Sequence, residues 1–257
     1  MFQAKEYIRA NSLEEAYEWN QKRSSVLVGG MMWLKMGKNQ KGAVIDISGL
    51  GLDQIEEDEQ EFKIGCMCSL RQLECHEGLN QQFGGIFKEC TRYIVGTQFR
   101  NTATVGGSVF GRYGFSDILT CLMMLDTYVE LYHGGVVSLK EFSQMKYDRD
   151  ILVRVIIKKD GRKAAYTSQR RSRTDFPLIA CGAAQHDGQW IVSIGARPDK
   201  AFPVTEPVTE EPLAEQAKKI AAQFPFHDNM RGSGEYRKQL AEIYVRRLME
   251  QIEKEEA

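Results

Sequence analysis

The stretch Gln98-Phe99-Arg100-Asn101-Thr102-Ala103-Thr104-Val105-Gly106-Gly107-Ser108-Val109 runs a polar turn into two adjacent glycines and then into apolar residues. Paired glycines let the backbone come close to a ligand and turn its N–H groups towards an anion, with no Cβ in the way. Thr104, just before them, adds a hydroxyl donor. A second pair, Val28-Gly29-Gly30, follows the apolar run Val26-Leu27-Val28 much earlier in the chain. Two strand-to-glycine turns in one chain suit the two phosphates of one dinucleotide. A Gly-Gly pair alone is most often an ordinary turn, so the surrounding sequence has to decide.

The pattern on either side reads as mixed α+β. Ser12 caps a helix at Leu13, with Glu15 completing a capping box. The strands Ser25–Val28 and 43–47 follow, so residues 1–52 form a small β-α-β unit. Acidic residues crowd 53–61 as an exposed turn or edge strand, and Ser69 caps a helix at Leu70. Residues 83–93 and 118–125 show helical spacing, with Asp117 as a candidate cap of the second. The alternating run 128–132 ends in a hairpin turn at His133-Gly134-Gly135, and the apolar strand 151–157 closes a unit spanning 53–160. A third unit, 165–257, pairs the strands 179–184 and 190–196 around His186-Asp187-Gly188, with helices over 213–223 and 235–252 on one side. The proline-containing run 203–212 links that sheet to the first of these helices.

The 257 residues suffice for one large or several small cores, and the net charge of -1 gives no field favouring nucleic acid or an anionic membrane. The run Arg170-Arg171-Ser172-Arg173 reads as a solvated loop. Charges lie within the first six residues, there is no apolar signal core, and no stretch approaches the roughly 20 apolar residues that cross a bilayer. These features predict a cytoplasmic protein with no membrane contact. The cysteines, Cys66, Cys68, Cys75, Cys90, Cys121 and Cys181, are expected to be free thiols. Cys66-Met67-Cys68 lacks the usual metal-knuckle spacing and falls in an expected strand, so no metal site is assigned. The four histidines are scattered among turns, and no catalytic acid–base set stands out.

Five blocks, in order, resemble the FAD-binding medium subunit of the molybdenum hydroxylases, the family of the xanthine dehydrogenase and carbon monoxide dehydrogenase flavoproteins. They are Val26 to Gly30, Ile64-Gly65 through Leu70-Arg71-Gln72-Leu73-Glu74, the second glycine turn, Ser116-Asp117-Ile118-Leu119 with Leu125-Asp126, and Gly232-Ser233-Gly234-Glu235-Tyr236-Arg237 with Val245-Arg246-Arg247. The resemblance covers nearly the whole chain. It implies a two-lobed FAD-binding domain of the PCMH type and a C-terminal sheet-and-helix domain like that of the carbon monoxide dehydrogenase flavoproteins.

The resemblance also implies a site. Val28, Gly29, Gly30, Met31 and Met32 would face one phosphate of FAD, and Thr104, Gly106, Gly107 and Ser108 the other. Asp117 would accept a hydrogen bond from a ribityl or ribose hydroxyl, or cap its helix, or both. Arg100 and Asn101 would fix the second turn without touching the cofactor. Three departures stand out: Met31-Met32-Trp33 replaces a hydroxyl residue followed by Asp, Ser108 replaces Asn, and Tyr113 and Phe115 replace small residues, either to stack near the isoalloxazine ring or, as expected here, to fill core. The implied activity is electron transfer within a heteromer, from a molybdopterin-binding large subunit and a [2Fe–2S] small subunit through FAD to NAD or another acceptor. Two alternatives are a stand-alone flavoprotein of the wider fold and a non-catalytic assembly subunit that has lost its flavin.

Overall fold

The computed structural model describes residues 1–254; the last three residues of the expected unit 165–257 lie outside the described residues. The N-terminal sheet is wholly parallel, in the order β1-β3-β2, from β1 (Gln3–Arg9), β2 (Ser25–Val28) and β3 (Gln40–Asp46). Helix Leu13–Gln21 connects β1 to β2. Ser12 Oγ accepts from Glu15 N at its start, while the Glu15 carboxylate reaches Asn11 N rather than Ser12 N, so the box closes one residue early. β1 was not expected from the sequence. All but one of its residues are exposed, so no apolar alternation marks it, and the ladder to β3 is what holds it.

The central sheet is antiparallel, in the order β4-β5-β8-β6-β7. Its strands are β4 (Ile55–Glu57), β5 (Glu61–Gly65), β6 (Thr127–Leu131), β7 (Gly135–Ser138) and β8 (Leu152–Lys158). The strand expected to close this unit is instead its middle: β8 lies between β5 and β6, and five of its seven residues are buried. The expected helix at 83–93 is shorter, Ile86–Thr91, because Gly84 and Gly85 both take positive φ and break it from Glu77–Gln82. Ser69 caps helix Leu70–Cys75 with a complete capping box through Gln72.

The C-terminal sheet is the antiparallel meander β12-β11-β10-β9, made of β9 (Lys163–Gln169), β10 (Ile179–His186), β11 (Gln189–Gly195) and β12 (Phe202–Pro207). Residues expected to link sheet to helix thus form an edge strand. Pro203 and Pro207 are accommodated there because an outer strand can spare ladder donors. Helices Leu213–Ala221 and Gly234–Lys254 cover one face. Cys181, Trp190, Val192 and Ile194 pack under them against Val245 and Leu248. On the other face, Ala180, Ala184 and Tyr166 join the core shared by Phe62, Phe87, Ile118 and Ile157. Burial on both faces explains why β10 reads as a continuous apolar run. Among the described residues no helix is long and apolar enough to cross a membrane.

Candidate functional site

The two glycine turns meet. A Cβ on Gly29 would lie 2.5 Å from Thr104 Oγ1, and one on Gly30 would lie 1.8 Å from the carbonyl oxygen of Thr102. Glycine at both positions lets the turn after β2 press against the backbone that leads into helix Val105–Phe110. The turn continues through Met31, whose φ of 55° is a left-handed value that a residue with a Cβ adopts at a cost of about 1 kcal/mol or more. Among the described residues, the N–H groups of Gly29, Gly30, Met31 and Met32 have no acceptor. These are the open donors of the junction.

The second turn is built differently. Its N–H groups are engaged within the protein: Val105 N donates to Cys68 O, Gly106 N to Cys66 O, Gly107 N to Thr104 Oγ1 and Ser108 N to Thr104 O. Thr104 is the cap of helix Val105–Phe110, and because its oxygen accepts from Gly107, its hydroxyl proton is free to be given elsewhere. Ser108 Oγ donates back to Thr104 O. Upstream, Arg100 is buried and donates to the Glu74 carboxylate at 2.8 and 3.3 Å, which ties the turn to helix Leu70–Cys75. Burial alone would raise the Glu74 pKa, but Arg100 and then Arg71 outweigh it and hold the carboxyl below its ordinary value.

All the residues that the sequence assigns to the cofactor line one cavity of about 480 Å³, with the exception of Gly106. A Cβ on Gly106 would strike Cys66 at 2.6 Å, so that glycine serves the close approach of the helix to the end of β5, not the cavity. Gly107 faces more open space, with Thr104 Oγ1 at 3.1 Å as the sole neighbour of a Cβ placed there. Val28, Gly29 and Met31 also line a second hollow of about 470 Å³, beside Tyr7 and Asp46, so the first turn is a thin wall between the two.

The far wall comes from the start of helix Asp117–Leu122 and from the loop between β9 and β10. Asp117 does not cap its helix; Ser116 does, accepting from Leu119 N. Asp117 is buried, and its Oδ1 accepts from Tyr166 Oη at 2.7 Å and from Arg170 Nη2 at 2.5 Å. Burial raises the Asp117 pKa, against the opposing pull of Arg170 and Tyr166. Arg170 therefore does not belong to a solvated loop: its side chain is 7% exposed and its other terminal nitrogen donates to Asp175 O. Nothing in the local sequence separates it from its exposed neighbours Arg171 and Arg173.

Trp33, Tyr113, Phe115 and Phe176 gather at the cavity. Tyr113 and Phe115 stack at 5.2 Å, Phe176 meets Phe115 edge-on at 4.5 Å, and Trp33 touches all three at 5.6 to 6.0 Å. Tyr113 and Phe115 are thus wall rather than core filling, and Tyr113 and Trp33 remain exposed at 39% and 50%.

Cys66-Met67-Cys68 is a turn after β5, not a strand, and among the described residues no group of three or more His, Cys, Asp or Glu is placed to hold a metal ion. Burial pushes the Cys66 thiol up to about 12 and the Cys68 thiol to about 11. Five cysteines are buried and Cys75 is exposed. Iodoacetamide at pH 8 is accordingly expected to add one label to the native protein, at Cys75, and the other five only after denaturation, as read by intact mass. A second rapid label on the native chain would contradict the burial described.

A family model for the FAD binding domain in molybdopterin dehydrogenase matches residues 1–159. Over 248 residues the chain is 25% identical to the protein YgfM of Escherichia coli (strain K12), with 93% of each covered. Among solved structures, a chain of quinoline 2-oxidoreductase from Pseudomonas putida 86 superposes with a TM-score of 0.84 at 17% identity, covering 96% of both. A chain of carbon monoxide dehydrogenase from Hydrogenophaga pseudoflava does so with the same score and coverage at 19% identity. These likenesses carry the fold: two sheets around the junction of the glycine turns, with a third sheet and its helices behind.

Proposed function

The chain belongs to the family of FAD-binding domains in molybdopterin dehydrogenases, and from that premise we propose that it is the electron-relay subunit of a molybdenum hydroxylase. Its partners would be a molybdopterin-binding large subunit and a [2Fe–2S] small subunit, and the final acceptor NAD or another oxidant, in the cytoplasm. The observation that carries the reading is the junction itself. Two glycine turns from distant parts of the chain close on one cavity, and four consecutive N–H groups there await an acceptor. The fit to a pyrophosphate is good, since burying one is costly unless several donors meet it.

In this assignment the open N–H groups of Gly29, Gly30, Met31 and Met32 bind one phosphate, and the Thr104 hydroxyl donates to the other. Ser108 and Gly107 keep Thr104 in place, and Asp117 accepts from a ribityl hydroxyl. Val28 lines the cavity ahead of the first turn, and Gly106 lets helix Val105–Phe110 approach the end of β5. Bound FAD supplies two-electron storage with one-electron exchange, chemistry that no side chain of this set provides. The aromatic cluster and the loop carrying Phe176 line the other end of the cavity. We place the cofactor-holding part in residues 1–52 and 53–160, with 165–257 completing the wall.

The test is an absorbance spectrum of the purified chain after incubation with FAD and desalting, repeated on the complex with its partner subunits. Near one equivalent of retained flavin is expected. Thr104→Val should weaken FAD about tenfold or more, since it removes a donor along with a helix cap worth about 1 kcal/mol. Loss of flavin from both preparations would sink the relay assignment in favour of a non-catalytic assembly subunit of the same fold.

A further inference from the structure

Arg170 lies beyond the matched residues 1–159, yet it is part of the cavity wall. Its guanidinium is nearly solvent-free. Nη1 donates to Asp175 O and Nη2 to Asp117 Oδ1, while Nε is buried with no hydrogen-bond partner among the described residues. A buried donor left unpaired costs about 1–3 kcal/mol, and in a residue that lines the cavity an acceptor arriving with a ligand would relieve that cost. Asp117 shows the complementary pattern. Tyr166 and Arg170 both bond to its Oδ1, and Oδ2 takes part in neither bond. One ion pair therefore holds side by side an uncommitted carboxylate oxygen and an uncommitted N–H.

An acceptor beside a donor matches a hydroxyl, which gives one proton and takes one. We propose that Arg170 is a positioning and binding residue for the sugar-alcohol chain of the cofactor. It fixes Asp117 so that Oδ2 accepts from a ribityl hydroxyl, and its own Nε donates to the same chain. This deepens the assignment of FAD to the cavity and rests on it. The family's FAD-binding region would then be incomplete without β9 and the loop that follows, because Tyr166 and Arg170 both come from there. The pair would also read the polyol linker rather than the phosphates, so ligands without that linker should not feel Arg170.

The experiment uses the full chain and two ligands, FAD and ADP, which share the diphosphate but not the ribityl chain. Dissociation constants are measured by calorimetry for the wild type, Arg170→Lys, Arg170→Met and Asp117→Asn, alongside thermal melts. Arg170→Lys keeps a cation for Asp117 but has no Nε fork, so it should fold as the wild type does and still lose FAD affinity about tenfold. Arg170→Met should lose more, and ADP affinity should stay within about twofold throughout. Equal weakening of FAD and ADP, or FAD affinity unchanged in Arg170→Lys, would overturn the role. If the wild type binds ADP but not FAD, the flavin assignment itself fails and takes this role with it. If FAD binds and only the Arg170 variants behave as wild type, the flavin assignment survives and the role alone is lost.

Discussion

Gly30→Ala is expected to abolish flavin retention and lower the stability of the chain by about 2–4 kcal/mol. The added carbon would sit 1.8 Å from Thr102 O, 2.6 Å from Thr102 C and 3.2 Å from Ala103 Cα. All three are backbone atoms, so no rotamer change relieves the clash and the two turns must move apart. Their separation would also draw Thr104 away from Gly29, and with it the donor set that both turns form together. Gly107→Ala is the control. Its Cβ meets a single side-chain oxygen at 3.1 Å, so the fold should lose less than about 1 kcal/mol. Thermal melts and a desalting assay decide the matter. A Gly30→Ala protein that melts within a degree or two of the wild type and keeps its flavin would show that the turns are not in contact.

Arg237→Met should cost about 3–5 kcal/mol. This guanidinium is fully buried with no carboxylate of the described residues bonded to it, and burial draws its pKa down from the ordinary arginine value. Its bonds go to Leu178 O at 2.8 Å, His227 O at 2.7 Å, Gly232 O at 2.5 Å and Asn229 Oδ1 at 2.6 Å. Methionine fills most of the space and leaves Leu178 O and His227 O without a donor, while Gly232 O keeps Asn229 N and Asn229 Oδ1 keeps Arg231 N. Lysine restores the charge but cannot reach four acceptors in a plane, so Arg237→Lys should recover less than half of the loss. The damage should also reach the cavity. The clamped loop carries Arg231, whose guanidinium sits 5.1 Å from the Phe176 ring and 3.5 Å from Asp175. Urea titrations followed by the fluorescence of buried Trp190 measure the first effect, and FAD affinity the second. A Met variant within about 1 kcal/mol of the wild type would refute the clamp.

Local chemistry was legible in the sequence; distant pairing was not. Ser12 and Ser69 announced their helices because a cap and its partner lie three residues apart. The hairpin at Gly134-Gly135 and the strands flanking His186-Asp187-Gly188 were visible for the same reason. β1 and β12 were not, since an exposed charged strand and a proline-bearing edge strand lack the apolar alternation that strand recognition needs. The glycine turns pointed to the cavity, yet the sequence could not say that Gly106 turns its back on it. Asp117 was visible as a carboxylate at a helix start. Its partner Arg170, 53 residues away, looked like one arginine among three. The aromatic wall needed Trp33, Tyr113 and Phe176 to be brought together from three separate stretches, which is information only the fold holds.

The middle position of β8 sets a schedule for synthesis. β5 and β6 have no neighbour on their inner edges until residues 152–158 leave the ribosome, and Lys158 then reaches Glu61 across 97 residues. Arg149, just ahead of β8, donates to Asn20 O and Lys22 O at the end of the first helix, so that helix too waits for a segment 129 residues downstream. A nascent chain stopped anywhere short of β8 therefore presents two open strand edges and a half-built core, a form that invites aggregation and chaperone capture. Ribosome pausing before this strand should cost yield, and pausing after it should not.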